Sequence, residues 1–283
     1  MPIHIGQAHA SDVMLRVENL SVTYPTGVTA LRSTNVGFRR GEITVLLGSS
    51  GAGKSTLLRT LNHLTVPTAG SVVSSAYGPL DRSDVLRKHR RRTAMVFQHH
   101  QLIERRTALV NVMTGRLGYH STWRSLLPAC RSDVELALQC LERVGMLDKA
   151  LSRVDQLSGG QQQRVGIARA LAQTPEMILA DEPVASLDPA TSEKVLGLLQ
   201  TVCREDGIAA VISLHQLDYA SRFADRIIGL ANSQVVFDGP PAKLGEHELS
   251  LIYGGQRASA KKAPAATATP SPLMALTPSM EMS

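Results

Sequence analysis

Three short segments of this chain carry residue types that act on phosphates. Gly48-Ser49-Ser50-Gly51-Ala52-Gly53-Lys54-Ser55 is a Gly-x4-Gly-Lys-Ser loop, set between the apolar run 43–47 and a helix-like stretch that opens at Thr56. Its glycines let backbone amides close around a phosphate chain, while the positive end of the following helix faces the same anion. Lys54 is placed to reach the β- and γ-phosphates of a nucleotide, and the Ser55 hydroxyl to ligate the accompanying Mg²⁺. A Gly/Ser turn before any helix shares part of this composition, but not the strand, loop and lysine in this order. Residues 48–56 are therefore the expected nucleotide cradle.

The second segment is the apolar run 177–180 ending in Asp181-Glu182. A carboxylate at the carboxyl end of a buried strand beside the loop holds Mg²⁺ through its water shell, a role that falls to Asp181. Glu182 points differently and is suited to polarise a water for in-line attack on a γ-phosphate. On its own, Asp-Glu is also a common way to start a turn. The third segment, Leu157-Ser158-Gly159-Gly160-Gln161, opens a helix with a good N-cap serine and exposed amides, so it offers a second anion site without a lysine of its own. Read plainly, it is a capped helix start.

These segments need a fold to bring them together. The chain has 283 residues, 43% hydrophobic and 19% charged, which is the composition of a globular protein with one main domain and an appended subdomain. No stretch approaches the roughly 20 apolar residues that cross a bilayer, and residues 1–6 lack the parts of a signal peptide, so a cytosolic chain is expected. Cys130, Cys140 and Cys203 have no metal-type spacing and are odd in number, which points to reduced packing residues. The net charge of +6 is concentrated in Arg87-Lys88-His89-Arg90-Arg91-Arg92, either an anion-binding surface or a solvated basic face leading into a strand. No aromatic residue interleaves this run, which argues against base stacking, and no nucleic-acid partner is expected.

Residues 1–12 read as a loose arm, 13–257 as the ordered domain and 258–283, rich in Ala, Pro, Thr, Ser and Met, as a disordered tail. Partial alternation at Leu15, Val17, Leu20 and Val22 predicts an edge or antiparallel strand. Residues 93–97 are a further strand, ending at Gln98. Helical periodicity through Val134, Leu138, Leu141 and Val144 makes 101–156 an inserted helical subdomain. The runs 177–180 and 208–213 suit buried parallel strands, with helices at about 160–172 and 189–205 as crossovers of a doubly wound sheet.

Leu157–Gln161, standing between the phosphate loop and the Asp-Glu pair, makes the chain similar to the nucleotide-binding subunits of ATP-binding cassette (ABC) transporters over about residues 14–257. The resemblance implies an α/β P-loop NTPase core with an inserted helical subdomain and an N-terminal antiparallel β part, and ATP and Mg²⁺ as ligands. It implies that Tyr24 stacks on adenine, Gln98 contacts metal and attacking water, Asp188 of Ser186-Leu187-Asp188 reaches a partner subunit, and His215 contacts the γ-phosphate. Each alone has a plainer reading: a turn aromatic, a strand end, a helix cap before Pro189, a satisfied histidine. It also implies two copies packed head to tail, each ATP lying between the loop of one and residues 158–161 of the other.

Several stretches resemble the phosphonate-import branch: 97–106, 115–119, 180–188 with its Pro183-Val184-Ala185-Ser186 after the carboxylates, and Ser213-Leu214-His215-Gln216. That branch implies two transmembrane permease subunits, an extracytoplasmic phosphonate-binding protein as an indirect partner, and a peripheral position on the cytoplasmic face of the inner membrane. Residues 99–127, with Tyr119 and Trp123, are the expected permease-docking surface. The alternatives are an importer for another small solute, a soluble cassette acting on nucleic acid or ribosomes, and a small-molecule kinase, which has no use for 157–161.

Overall fold

The computed structural model describes residues 12–98, 101–121, 123 and 130–260, without the side chains of 255–260. Residues 1–11 of the arm expected over 1–12, residues 261–283 of the tail expected over 258–283, His99, His100 and part of the expected docking surface lie outside the described residues. Two sheets form the framework. The smaller is antiparallel, in the order β2 (Thr29–Arg39), β1 (Val13–Thr23), β4 (Ala69–Ser74) and β5 (Gly78–Pro79). The larger has the order β10 (Gln234–Gly239), β9 (Arg226–Ala231), β3 (Ile43–Gly48), β8 (Ala209–Leu214), β7 (Met177–Asp181) and β6 (Thr93–Val96). All its pairings are parallel except that of β10 with β9.

Strands β3, β7 and β8 are buried along their whole length, which is why they read as largely apolar runs. Alternate side chains serve two cores. Val45, Leu47, Ile178, Ala180, Ala210 and Ile212 face one; Leu46, Met177, Leu179, Ala209 and Val211 face the other. The second core is closed by Leu15, Val17 and Phe38 of the small sheet and by Leu57, Leu58 and Leu61 of α1 (Lys54–Leu61), so α1 lies clamped between the sheets.

The first core continues into the helical subdomain. There α3 (Ala108–Met113), α4 (Arg131–Arg143) and α5 (Gly159–Ala172) pack on one another, with Ala137, Leu141, Val165 and Ile167 buried in the same cluster as β7 and β8. Earlier in the chain, α2 (Ser83–Arg92) carries the basic run. It is more than a solvated face. His89 is buried with Nε2 2.9 Å from the carbonyl of Leu61, and burial pushes its pKa down to about 4. Arg90 donates to the carbonyls of Asn62 and His63, and Arg91 to that of Gly118, so the run clasps the end of α1 and the entry to the helical subdomain.

After β7, α6 (Pro189–Asp206) crosses back to β8, α7 (Leu217–Phe223) leads to β9, and α8 (Glu246–Ala260) closes the described chain. Helix α8 runs past the boundary at 257 expected from composition. Cys140 and Cys203 are buried and Cys130 is half-buried; all three thiols are free.

Candidate functional site

Parallel strands side by side release their chains at one edge, where loops converge. Here β3 releases the phosphate loop, β8 His215, β7 Asp181 and Glu182, and β6 Gln98. Val96 pairs with Ala180, so Gln98 leaves β6 level with Glu182 on β7.

The phosphate loop admits few other residues. A Cβ on Gly48 would lie 2.4 Å from the Leu230 carbonyl oxygen. At Gly53, φ is +105° and a Cβ would lie 2.6 Å from the Ala30 carbonyl oxygen. Lys54 opens α1 and is only 4% exposed. Its Nζ donates to the carbonyls of Gly48 (2.8 Å) and Ser49 (3.0 Å) and lies 3.3 Å from Nδ1 of His215. Burial pulls the Lys54 pKa below the ordinary lysine range, while the carboxylates of Glu182 and Asp181 pull it back up.

Beside it, the Ser55 hydroxyl donates to Oδ1 of Asp181 at 2.7 Å. A hydroxyl and a buried carboxylate oxygen side by side are hard donors of the kind Mg²⁺ takes, with room left for its waters and for phosphate oxygens. The glycine cradle, the ammonium and this oxygen pair therefore fit a magnesium nucleotide. Asp181 is further held by Ser213 Oγ (3.0 Å) and by Arg59 Nη2 (3.2 Å). Glu182 sits at φ +48°, its amide donating to Ser213 Oγ at 2.9 Å, and its carboxylate is hydrogen-bonded to Nε2 of His215. Tyr24, 38% exposed, places its hydroxyl 3.2 Å from Oγ1 of Thr56, so its ring stands beside the first turn of α1.

Replacing Lys54 by alanine removes both the cation and the two hydrogen bonds that close the loop. With hydrogen bonds to charged groups worth about 1.5–3 kcal/mol, ATP affinity is expected to fall roughly ten- to hundredfold in equilibrium dialysis. Undiminished affinity would count against the cradle.

Ser158–Gln161 lies elsewhere. Ser158 and Gln161 form a reciprocal capping box at the start of α5, with Ser158 N donating to Oε1 of Gln161 at 2.9 Å. Ser158 and Gly159 are exposed, whereas Gly160 is packed so closely that a Cβ would lie 2.4 Å from Cγ2 of Thr191. Asp188 caps α6 by accepting from Thr191 N at 3.0 Å, and hydrogen bonding from the Thr191 side chain, then from its amide, holds the Asp188 carboxyl below the usual range. Residues 158–161 and Asp188 thus form one unit around Thr191. No hydrogen bond among the described residues joins that unit to Lys54, Asp181, Glu182 or His215.

Arg59 and Ser213 were not singled out by sequence reasoning. The signal for Ser213 was present, since a hydroxyl inside the apolar run 208–214 has to find a partner. In the expected docking region, Trp123 is 82% exposed. Tyr119 departs from expectation: it is half-buried, its hydroxyl donating to the Gln173 carbonyl (2.9 Å) and its ring lying under Arg116. It forms part of the wall of a 940 Å³ cleft that also involves Arg87, Arg90, Phe97, Gln101, Leu117 and Arg169.

The sequence pattern of the ABC transporter family matches residues 31–185, from β2 through the strand that ends in Asp181. The chain belongs to the ABC transporter family. The cassette is 65% identical over 272 residues to the phosphite import ATP-binding protein PxtA of Stutzerimonas stutzeri, covering 96% of this chain and 97% of that protein. It is 60% identical over 242 residues to the phosphonates import ATP-binding protein PhnC 3 of a Nostoc species, covering 86% and 92%. Among solved structures, the dimeric cassette MJ0796 bound to ADP and Pi superposes with a TM-score of 0.71 at 36% identity, over 81% of this chain and 99% of that one. The cassette cbiO1 from Clostridium perfringens, part of the transporter complex cbiONQ, gives 0.73 at 28%, over 89% and 96%. The expected fold class, an α/β P-loop core with a helical insertion and an antiparallel N-terminal sheet, is the one found.

Proposed function

We propose that this cassette binds Mg-ATP between two copies of itself, hydrolyses it, and so drives a pair of membrane permease subunits that import phosphonates. The substrate assignment is carried by identity over nearly whole chains to ATP-binding proteins named for phosphonate and phosphite import. Pairing is supported by the dimeric state of the related MJ0796 cassette, and by a capped helix start at 158–161 that no hydrogen bond among the described residues joins to the phosphate loop of its own chain.

In this reading the loop amides and Lys54 bind the phosphates and Tyr24 packs on the base. Ser55 and Asp181, with Gln98 nearby, would hold Mg²⁺, which would supply charge neutralisation at the phosphates. Glu182 accepts the proton of the attacking water as a new P–O bond forms and the bond from γ-phosphorus to the bridging oxygen breaks, leaving ADP and inorganic phosphate. His215 orients the Glu182 carboxylate. Ser158–Gln161 and Asp188 of the second copy complete the site, so loss of the γ-phosphate releases the pair.

No helix among the described residues is long and apolar enough to cross a membrane. We place the protein on the cytoplasmic face of the inner membrane, its 940 Å³ cleft and Trp123 receiving the permease. An extracytoplasmic binding protein acts upstream without touching this chain. Phosphite is the second substrate reading, favoured by the 65% identical relative. Uptake of labelled methylphosphonate and of labelled phosphite in cells lacking this chain decides between them. Phosphonate uptake is expected to disappear and to return with the wild-type chain but not with Lys54→Ala. Loss of phosphite uptake alone moves the assignment to phosphite, and unchanged uptake of both overturns the substrate reading.

A further inference from the structure

Ser213 touches both carboxylate residues of the site. It is 0% exposed and lies on β8 directly opposite Asp181 in the strand register. Its hydroxyl accepts from the Glu182 amide at 2.9 Å and donates to Oδ1 of Asp181 at 3.0 Å, which uses the single donor a serine hydroxyl has. Alternation places Ser213 and Asp181 on the sheet face that carries α1, where Ser55 and Arg59 reach the same carboxylate. Two residues further along the same chain segment, His215 holds the Glu182 side chain. One strand end therefore grips Glu182 at two points, through its amide and through its carboxylate.

The amide contact has a conformational consequence. Glu182 at φ +48° is in the left-handed region, which is costly for a non-glycine residue and persists only where surrounding bonds hold it. The Glu182 amide bonds to the Ser213 hydroxyl, and the turn that follows is closed by Ala185 N donating to the Glu182 carbonyl at 3.3 Å.

We propose that Ser213 is a positioning residue for hydrolysis: its hydroxyl fixes the general base Glu182 relative to the metal-holding carboxylate Asp181, so that the attacking water and the metal keep one geometry. The inference rests on the reading of Glu182 as base. It goes beyond that reading by assigning a further residue, and by making the separation of the two carboxylates depend on one hydroxyl.

The test compares Ser213→Ala, Ser213→Thr, Glu182→Gln and the double variant Ser213→Ala/Glu182→Gln in the full chain, reading kcat and KM for ATP, ATP affinity and melting temperature. Misplacement of a reacting group by about 1 Å costs up to about a hundredfold in rate. Ser213→Ala is therefore expected to lower kcat roughly ten- to hundredfold while ATP affinity and KM stay within about twofold. Ser213→Thr, which keeps the hydroxyl, is expected to recover most of the rate. The double variant is expected to be no slower than Glu182→Gln alone, because a base that is absent cannot be misplaced.

A Ser213→Ala rate within twofold of wild type overturns the proposal. So does a loss of ATP affinity as large as the loss of rate, a threonine variant no better than alanine, or multiplying effects in the double variant. Normal turnover by Glu182→Gln alone would instead remove the reading of the base on which the proposal stands, a failure distinguishable from the others because it appears in the single variant.

Discussion

Replacing Glu182 by glutamine is expected to lower the rate of phosphate release at least about a hundredfold while leaving ATP affinity within a few-fold of wild type. The substitution keeps size, and it keeps the backbone bond from the residue 182 amide to Ser213. A glutamine oxygen still accepts from His215, so the local arrangement survives. What disappears is the ability to take a proton from water, a contribution worth about 10²–10⁴-fold in general-base catalysis. Binding is unaffected in this account because Lys54, the loop amides, Ser55 and Asp181 hold the nucleotide. Steady-state phosphate release and equilibrium dialysis, run on the same preparation, give the two numbers. Normal turnover by the glutamine variant contradicts the assignment of the base.

A second large effect is expected far from Lys54. Ser158 is exposed, so Ser158→Phe meets no buried neighbour and costs a single chain only its helix cap, about 1 kcal/mol. In the proposed pair, the same ring would occupy the place assigned to the phosphates of the partner's nucleotide. ATPase activity is therefore expected to fall at least about a hundredfold, with the melting temperature lowered by only a few degrees and ATP affinity of the isolated chain preserved. Mixing provides an internal control. In a mixed pair of Ser158→Phe with Lys54→Ala, one composite site carries both lesions and the other carries none, so activity is expected to reappear on mixing two inactive proteins. Full activity of Ser158→Phe alone would show that residues 158–161 take no part in hydrolysis.

Much of the cradle was legible because its parts are local. A strand, a glycine-permissive turn and a helix start that bears lysine and serine lie within residues 43–55, and the capping box at Ser158 and Gln161 spans four. The central strands were equally plain, since burial on both faces of the sheet leaves β3, β7 and β8 apolar except for Thr44, Asp181 and Ser213. Contacts that join distant segments were not legible. Arg59 is one more polar residue on α1 until the parallel pairing of β7 and β8 sets Asp181 beside that helix. The basic run at 87–92 suggests a free electrostatic surface, yet Arg90 and Arg91 spend their donors on carbonyls at 62, 63 and 118. Tyr119 appeared exposed for a similar reason: its carbonyl partner, Gln173, is supplied from the far end of α5.

The central claim is that ATP joins two copies of this chain. Its most direct test is the mass of the Glu182→Gln protein with and without Mg-ATP, by light scattering after size-exclusion chromatography, alone and together with its permease subunits. The chain has a mass of 30.4 kDa, and the account predicts a shift to twice that value on adding ATP, with two nucleotides retained per pair and return to the single mass on exchange into ADP. A protein that binds ATP yet keeps the mass of one chain, both alone and within its membrane complex, would contradict it.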